Sequence, residues 1–541
     1  MRPDLPQWRR IRAESLPHAE VDAAAALRAA GDWRGAAALA RCDVDVSFDA
    51  ARFDAAAVAA LEDDLRHLSL DLLRWHLPRH RGGMSTLQPM VSAVLAPRAG
   101  ADRAPLLKVR LPKSPTGPQR LRLTVATLDE LEHERWYVAP RYTWDVREST
   151  GVRAAWGGSP HRMPFLDPER FGVGTDEAAA TERTWQRLVD GDLAGAWKAC
   201  GIDVSGVETE ALQRPSAPPT LPVGVADEAR AAAAAFGVGH VATLYGVSLT
   251  LSVDTMTAEA LDVSEYLEVP TRILTGSVPP DLALIAAGPQ HADALHPLVH
   301  QALFSGSIAD HGPPAKQAKH DQPAEQAEHD QPAEQAEHDQ PARLLRYAPG
   351  RPTQVRCQGV WHKVAVTGGR LGLPDHDDDE QLRERALRSL GGTSSGCYAV
   401  QETWTTGTGR LPHELAGQCR LVKHRMQHGD TGWLLDGLDR GVIDPHMRDA
   451  NGWSLLHLTM WVDFERVLPV LLAAGVPVDA RDRVGRTPLY LAVMNGGPPD
   501  LMRRLLAEGA DPRAETVHGS WPAYVARSRQ YWQDLTFLFE A

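Results

Sequence analysis

The spacing of apolar side chains along this chain changes period several times, and each period predicts a different kind of element. Ala-rich stretches around 21–40 and 55–76 predict helices. Leu107, Val109 and Leu111 then alternate with Lys108 and Arg110, while Leu121, Leu123 and Val125 alternate with Arg122 and Thr124. That is the period of strands with one buried face, and the intervening PKSPTGPQ supplies turn residues, so a hairpin is expected. After a helix at Ala231–Ala235, Val247, Leu249, Leu251 and Val253 alternate with Ser248, Thr250 and Ser252 in another strand. Val360, His362, Val364 and Val366 alternate again, with Thr367-Gly368-Gly369-Arg370 as a turn. Helical spacing returns at Leu382, Ala386 and Leu390. Asp377 to Glu380 stand where carboxylates favour a helix N-terminus, so the acidic cluster Asp375–Glu380 reads as capping, and Gly391-Gly392 ends the helix. Cys397 to Val400 reads as strand.

These shifts divide the chain. At 541 residues it exceeds what one hydrophobic core supports. Residues 1–212 are expected to form a mixed α/β domain. Within it, Gly31-Asp32-x-x-Gly35-Ala36 leading to Cys42-x-x-Asp45-Val46-Ser47 is echoed by Gly191-Asp192-x-x-Gly195-Ala196 leading to Cys200-x-x-Asp203-Val204-Ser205. The echo is either a duplicated helix-then-turn unit or coincidence in Ala-rich sequence. A Pro-rich connector at 213–222 leads to a small α/β domain at 223–305. Residues 315–323, 324–332 and 333–341 then read AKQAKHDQP once and AEQAEHDQP twice. Without large apolar residues to offset ordering entropy, 306–345 is expected to be a disordered linker, and its single histidines His320, His329 and His338 make no preformed metal site. A small β/α module is expected at 346–410.

The last segment, 411–541, carries repeats. Asp449-x-x-Gly452-x-Ser454-x-Leu456-His457-Leu458 recurs 33 residues later as Asp482-x-x-Gly485-x-Thr487-Pro488-Leu489-Tyr490-Leu491. Each copy runs on to an apolar helix closed by glycine, at Gly475 and Gly509. A worn unit precedes them from Gly429-Asp430, and another follows from Gly519, making about four. These residues resemble the ankyrin-repeat family, whose unit is a turn plus two helices. The resemblance implies an L-shaped stack whose hairpin tips and inner helices bind protein surfaces. Thr-Pro-Leu-His is intact in no copy, and Asn495-Gly496-Gly497-Pro498-Pro499 adds one residue and two prolines to a helix junction. His457 is expected to be a structural group of the inter-repeat turn. The expected partner contacts are His446, Arg448, Trp453, Trp461, Arg483, Arg486 and Met494, because Trp and Arg suit hot spots. The fold class is therefore α/β or α+β N-terminal modules plus a C-terminal all-α ankyrin-type solenoid.

Composition removes other classes. The net charge of −13, with no stretch that concentrates Lys and Arg, argues against nucleic acid as partner. Only seven lysines occur, a bias that suggests a GC-rich bacterial genome. Five scattered cysteines without C-x-x-C argue against disulfide or thiolate-zinc frameworks and for the cytoplasm. The N-terminus has no apolar signal region, and the 23 uncharged residues between Arg230 and Asp254 are too polar and strand-like for a membrane span. No P-loop exists. Gly392-Thr393-Ser394-Ser395-Gly396 matches the nucleophile-elbow pattern, but a helix precedes it and strand-like sequence follows. Cys419, His424 and His428 read as a surface row on the first repeat helix. Trp136, Arg141, Trp144, Trp156 and His161 read as ordinary core and rim. Neither catalytic residues, metal nor cofactor are expected. The sequence thus points to an adaptor that binds a protein through its repeats; the alternative is an unrecognised enzyme or effector domain in 1–305 whose target the repeats recruit.

Overall fold

The computed structural model describes residues 17–48, 53–79, 86–95, 104–115, 117–131, 134–166, 168–212, 221–244, 249–261, 272–274, 280–286, 295–304, 348–392, 394–528 and 535–540. The nonapeptide segment and most of the Pro-rich connector lie outside the described residues. The chain divides into two compact units, the first essentially up to Lys319 and the second from His320 onward.

The first unit is built on one sheet. Helices α1 (His18–Ala29) and α2 (Trp33–Leu39) lead into β1 (Cys42–Asp45), followed by α3 (Ala55–His67), α4 (Leu70–His76), β2 (Ser92–Leu95), β3 (Leu106–Arg110), β4 (Leu121–Ala126) and β5 (Trp136–Val138). Then come α5 (Glu177–Val189), α6 (Leu193–Ala199), α7 (Val225–Phe236), β6 (His240–Leu244), β7 (Leu249–Ser252), β8 (Thr257–Ala260), β9 (Arg272–Leu274), α8 (Pro280–Ala286) and α9 (Pro297–Phe304). The nine strands lie in the order β1-β4-β3-β2-β5-β9-β6-β7-β8, so the segments 1–212 and 223–305, expected as separate domains, share a single mixed sheet. The expected hairpin is present, with Leu107 opposite Val125 and Val109 opposite Leu123. One position departs from the alternation. Lys108 is only 8% exposed because β3 lies inside the sheet with both faces covered, and its Nζ sits 3.1 Å from Glu134 Oε1. The two echoed segments adopt the same turn: Gly31 (φ 82°) and Gly191 (φ 84°) end one helix, and Asp32 and Asp192 cap the next by accepting the N–H of Gly35 and Gly195.

The second unit begins with an antiparallel sheet of β10 (Thr353–Cys357), β11 (Val360–Thr367) and β12 (Arg370–Gly372). Both hairpins turn through two residues with positive φ, Gln358-Gly359 (51° and 89°) and Gly368-Gly369 (58° and 75°), the arrangement whose twist matches the strands. Helix α10 (Asp378–Ser389) is capped by Asp377, whose carboxylate accepts the Glu380 N–H at 2.7 Å. Its predicted apolar face is not buried, since Leu382, Ala386 and Leu390 are all exposed. Helix α11 (Gly396–Thr406) replaces the strand expected at Cys397–Val400: Cys397, Val400 and Trp404 recur at helical spacing and are buried together. The G-x-S-x-G run therefore joins two helices, and Thr393 lies outside the described residues.

Paired helices follow: α12 (His413–Gln427) with α13 (Thr431–Asp439), a 3-10 helix Leu455–Trp461 with α14 (Phe464–Ala473), α15 (Pro488–Asn495) with α16 (Pro499–Ala507), and α17 (Pro522–Ser528) with a last turn at Phe537–Glu540. The one added residue and two prolines of this junction are absorbed locally, with Gly496 ending α15 in the left-handed region (φ 68°) and Pro499 opening α16. Cys419 and His428 are buried, so Cys419, His424 and His428 do not form a surface row; Cys419 and Val422 lie on the face of α12 that packs into the core. That core runs without a break from Val355 through the strands and α11 to Leu538, so the expected 346–410 module and the repeats share one interior.

Candidate functional site

The repeat turns are assembled from the same few parts. The Asp449 carboxylate accepts the N–H groups of Asn451 (2.8 Å) and Trp453 (2.9 Å), and Asp482 does the same for Val484 (3.0 Å) and Arg486 (2.8 Å). At the third turn Thr516 stands in for Asp, its hydroxyl accepting the Ser520 N–H at 3.2 Å. Gly452, Gly485 and Gly519 have φ of 80°, 80° and 67°, and at Gly452 and Gly485 a Cβ would also meet the next turn's backbone. Successive turns are then tied to each other. Arg483 N–H donates to the Asn451 carbonyl at 3.1 Å and Val517 N–H to that of Val484 at 3.0 Å. The Arg448 guanidinium donates to the Arg481 carbonyl at 2.6 Å, and the Arg481 guanidinium to that of Glu515 at 2.7 Å.

His457 is the interior counterpart of this ladder. Its Nδ1 accepts from the Ser454 N–H at 3.0 Å, so the proton resides on Nε2, which donates to the Arg486 carbonyl at 3.0 Å. Burial pushes its pKa down to about 4 and keeps the ring neutral. In the next copy the Tyr490 hydroxyl takes the same position and pairs with Ser520 at 3.2 Å.

This network accounts for most of the contacts expected from the sequence. Trp461 is 1% exposed and belongs to the core. Trp453 is half-buried: Lys423 Nζ lies 4.2 Å from its ring centroid, Arg486 covers it at 5.8 Å, and its Nε1 donates to Asp482 at 3.0 Å. Arg486 is ion-paired to Asp482 at 2.7 Å, and Met494 packs against the core. Arg448 is bound up in the ladder, and burial lowers its pKa. Two of the seven face outward. Arg483 is exposed at a turn tip with its Nε donating to the Gly407 carbonyl at 2.8 Å, and His446 borders a groove of about 470 Å³ with Gly369, Leu438 and Val470. Exposed groups that the sequence reading passed over are Val517 and Tyr524, the latter against the Trp521 ring at 5.2 Å. The periodic pattern located the turns, but it does not distinguish a Trp that faces out from one that faces in.

A second constellation lies on the sheet side of the unit. Cys357, His362, His376 and Cys397 come together although 40 residues separate the first from the last, and no short motif announces them.

Comparison with known proteins bears on the repeats. A family model described as ankyrin repeat matches residues 484–517, the stretch from one turn tip to the next. The mouse B-cell lymphoma 3 protein homolog is 32% identical over 97 residues, covering 18% of this chain and 21% of that protein. The human B-cell lymphoma 3 protein is 32% identical over 130 residues, covering 18% of this chain and 29% of its own length. This chain thus spans less than a third of either relative. Among the described residues, no helix is long and apolar enough to cross a membrane.

Proposed function

Because the C-terminal part of the chain carries ankyrin repeats, we propose that the protein is an adaptor that binds another protein through a short all-α solenoid, and that it works in the reducing cytoplasm. One observation carries this reading. The turn tips are held rigid by backbone-directed carboxylates and by the arginine ladder, while Arg483, Val517 and His518 at those tips remain exposed. A surface ordered before contact loses little conformational entropy on binding, which favours recognition. The buried cysteines of the second unit and the acidic net charge are consistent with an intracellular partner that is not a nucleic acid. The contact set shifts from the sequence reading: Arg448 and Arg486 hold the turns, Trp461 fills the core, and the partner meets Arg483, Val517, His518 and Tyr524.

Affinity capture from the source cells with the full chain tests this. The variant Arg483→Glu with Val517→Asp and Tyr524→Ala is expected to remain folded, unfolding a few degrees below the wild type because the Arg483 bond to the Gly407 carbonyl is lost, and to lose at least tenfold in recovery of the partners. Equal recovery by both chains would move the binding surface off the repeats.

A further inference from the structure

The repeat reading leaves Cys357, His362, His376 and Cys397 without a role. One donor atom of each lies within 4.8 Å of those of the others. Two thiols and two imidazoles are the donor set of a structural zinc centre.

The four residues reach this point from separate pieces of backbone. Cys357 ends β10, and His362 stands opposite Val355 on β11, so both belong to the same face of the hairpin. His376 lies in the loop between β12 and α10, its N–H donating to the Leu373 carbonyl at 3.0 Å. Cys397 occupies the first turn of α11. Both cysteines are buried and neither is in a disulfide.

Two further details are what a metal site requires. The Nε2 of His376 faces the Nδ1 of His362 at 2.8 Å, while its outer nitrogen, Nδ1, lies 3.1 Å from Glu380 Oε2. A carboxylate on the outer nitrogen fixes the tautomer and turns the Nε2 lone pair inward, as in metal-bound histidines. Gly396 has φ of 56°, and a Cβ there would come within 2.5 Å of the Cys357 sulfur, so glycine lets the thiol approach α11.

We propose that Cys357, His362, His376 and Cys397 bind one zinc ion in a closed tetrahedral site that staples the β10–β12 sheet to α11. On binding, each thiol releases its proton to solvent as its Zn–S bond forms, and both imidazoles bind as neutral ligands, so the filled centre carries no net charge. With four protein ligands no position remains for water or substrate, and the role is structural. Its effect reaches the repeats through α11. Trp404 on that helix donates from Nε1 to Asp444 at 3.0 Å, and its carbonyl accepts the Arg448 N–H at 2.9 Å, so α11 sets the first repeat turn. A disulfide between Cys357 and Cys397 would leave both imidazoles and Glu380 unexplained.

The test is elemental analysis of the full chain purified under reducing conditions without added metal. One zinc per chain is expected, released when a mercurial titrates the thiols, and cobalt exchanged into the site should show the visible absorption of a tetrahedral thiolate centre. Cys397→Ser and His376→Ala should lose the metal, Glu380→Gln should retain it with roughly tenfold weaker affinity, and Cys419→Ser, a buried thiol outside the cluster, should be unchanged. A wild-type chain that holds no zinc and takes up no cobalt would overturn the proposal. So would a Cys357–Cys397 disulfide seen by mass, or zinc loss from Cys419→Ser. The wild-type metal content and cobalt spectrum decide the matter even if the ligand variants fail to fold.

Discussion

His457 shows how much one buried side chain can set. Its folded pKa, near 4, lies below the value of about 6.5 expected of an unfolded chain, so between those limits the unfolded state binds more protons. Stability from this residue is complete above about pH 6.5 and is lost as pH falls toward 4, by up to about 3 kcal/mol. Denaturant unfolding of the wild type against His457→Gln between pH 7 and 4 should show a steeper loss for the wild type; parallel curves would remove His457 as the cause. Glu228 works in the opposite direction. Burial raises its carboxyl to about 7, against a partial offset from Tyr142, whose hydroxyl donates to it at 2.9 Å. Its folded state therefore holds the extra proton, and its contribution weakens as pH rises from the ordinary carboxylate range through 7. Trp461 marks the limit of reading residues one by one. Its type and position suggested a contact, yet it fills the core, so Trp461→Ala should cost about 3–5 kcal/mol. The exposed Tyr524→Ala should cost about 0.5 kcal/mol.

At the scale of elements, the turn is the repeating unit of stability. Asp482 takes part in four bonds: to two backbone N–H groups, to Trp453 Nε1 and to Arg486. Truncating it leaves four part-buried donors unpaired, and Asp482→Ala should cost about 3 kcal/mol, whereas Arg481→Ala removes one exposed bond and should cost about 1 kcal/mol. Equilibrium unfolding of both variants at constant m-value measures the difference. The turns were legible because Asp and Gly are required chemically, by an acceptor aimed at two N–H groups and by a left-handed φ. Elements without such requirements were read less well. Cys397–Val400 has strand-like composition but lies on a helix, because its alternative period of three and four places Cys397, Val400 and Trp404 in a shared core. Leu382 and Leu390 have helical spacing but remain in solvent, because an apolar stripe shows which face could be buried and not whether anything covers it.

At the scale of the whole chain, the core residues described for the second unit run from Val355 to Leu538, and those described for the first lie between Ala37 and Leu303. Calorimetry of the full chain should therefore resolve two heat-absorbing transitions, and stripping zinc with a chelator should lower only the one belonging to the second unit. A single transition would show that the two cores melt together. Local chemistry alone determined the repeat turns and the cap on α10, since each depends on residues a few positions apart; the β3–β4 hairpin followed from its alternation, and the structural role of His457 from the resemblance, because its Nε2 bonds to the Arg486 carbonyl in the next repeat. Tertiary structure alone decided the single nine-stranded sheet across 1–305, the direction faced by each Trp and Arg of the repeats, and the meeting of Cys357, His362, His376 and Cys397. The physical reason is common to all three. Strand order, burial and ligand convergence are set by contacts between distant segments, and a linear pattern carries no term for what packs against it.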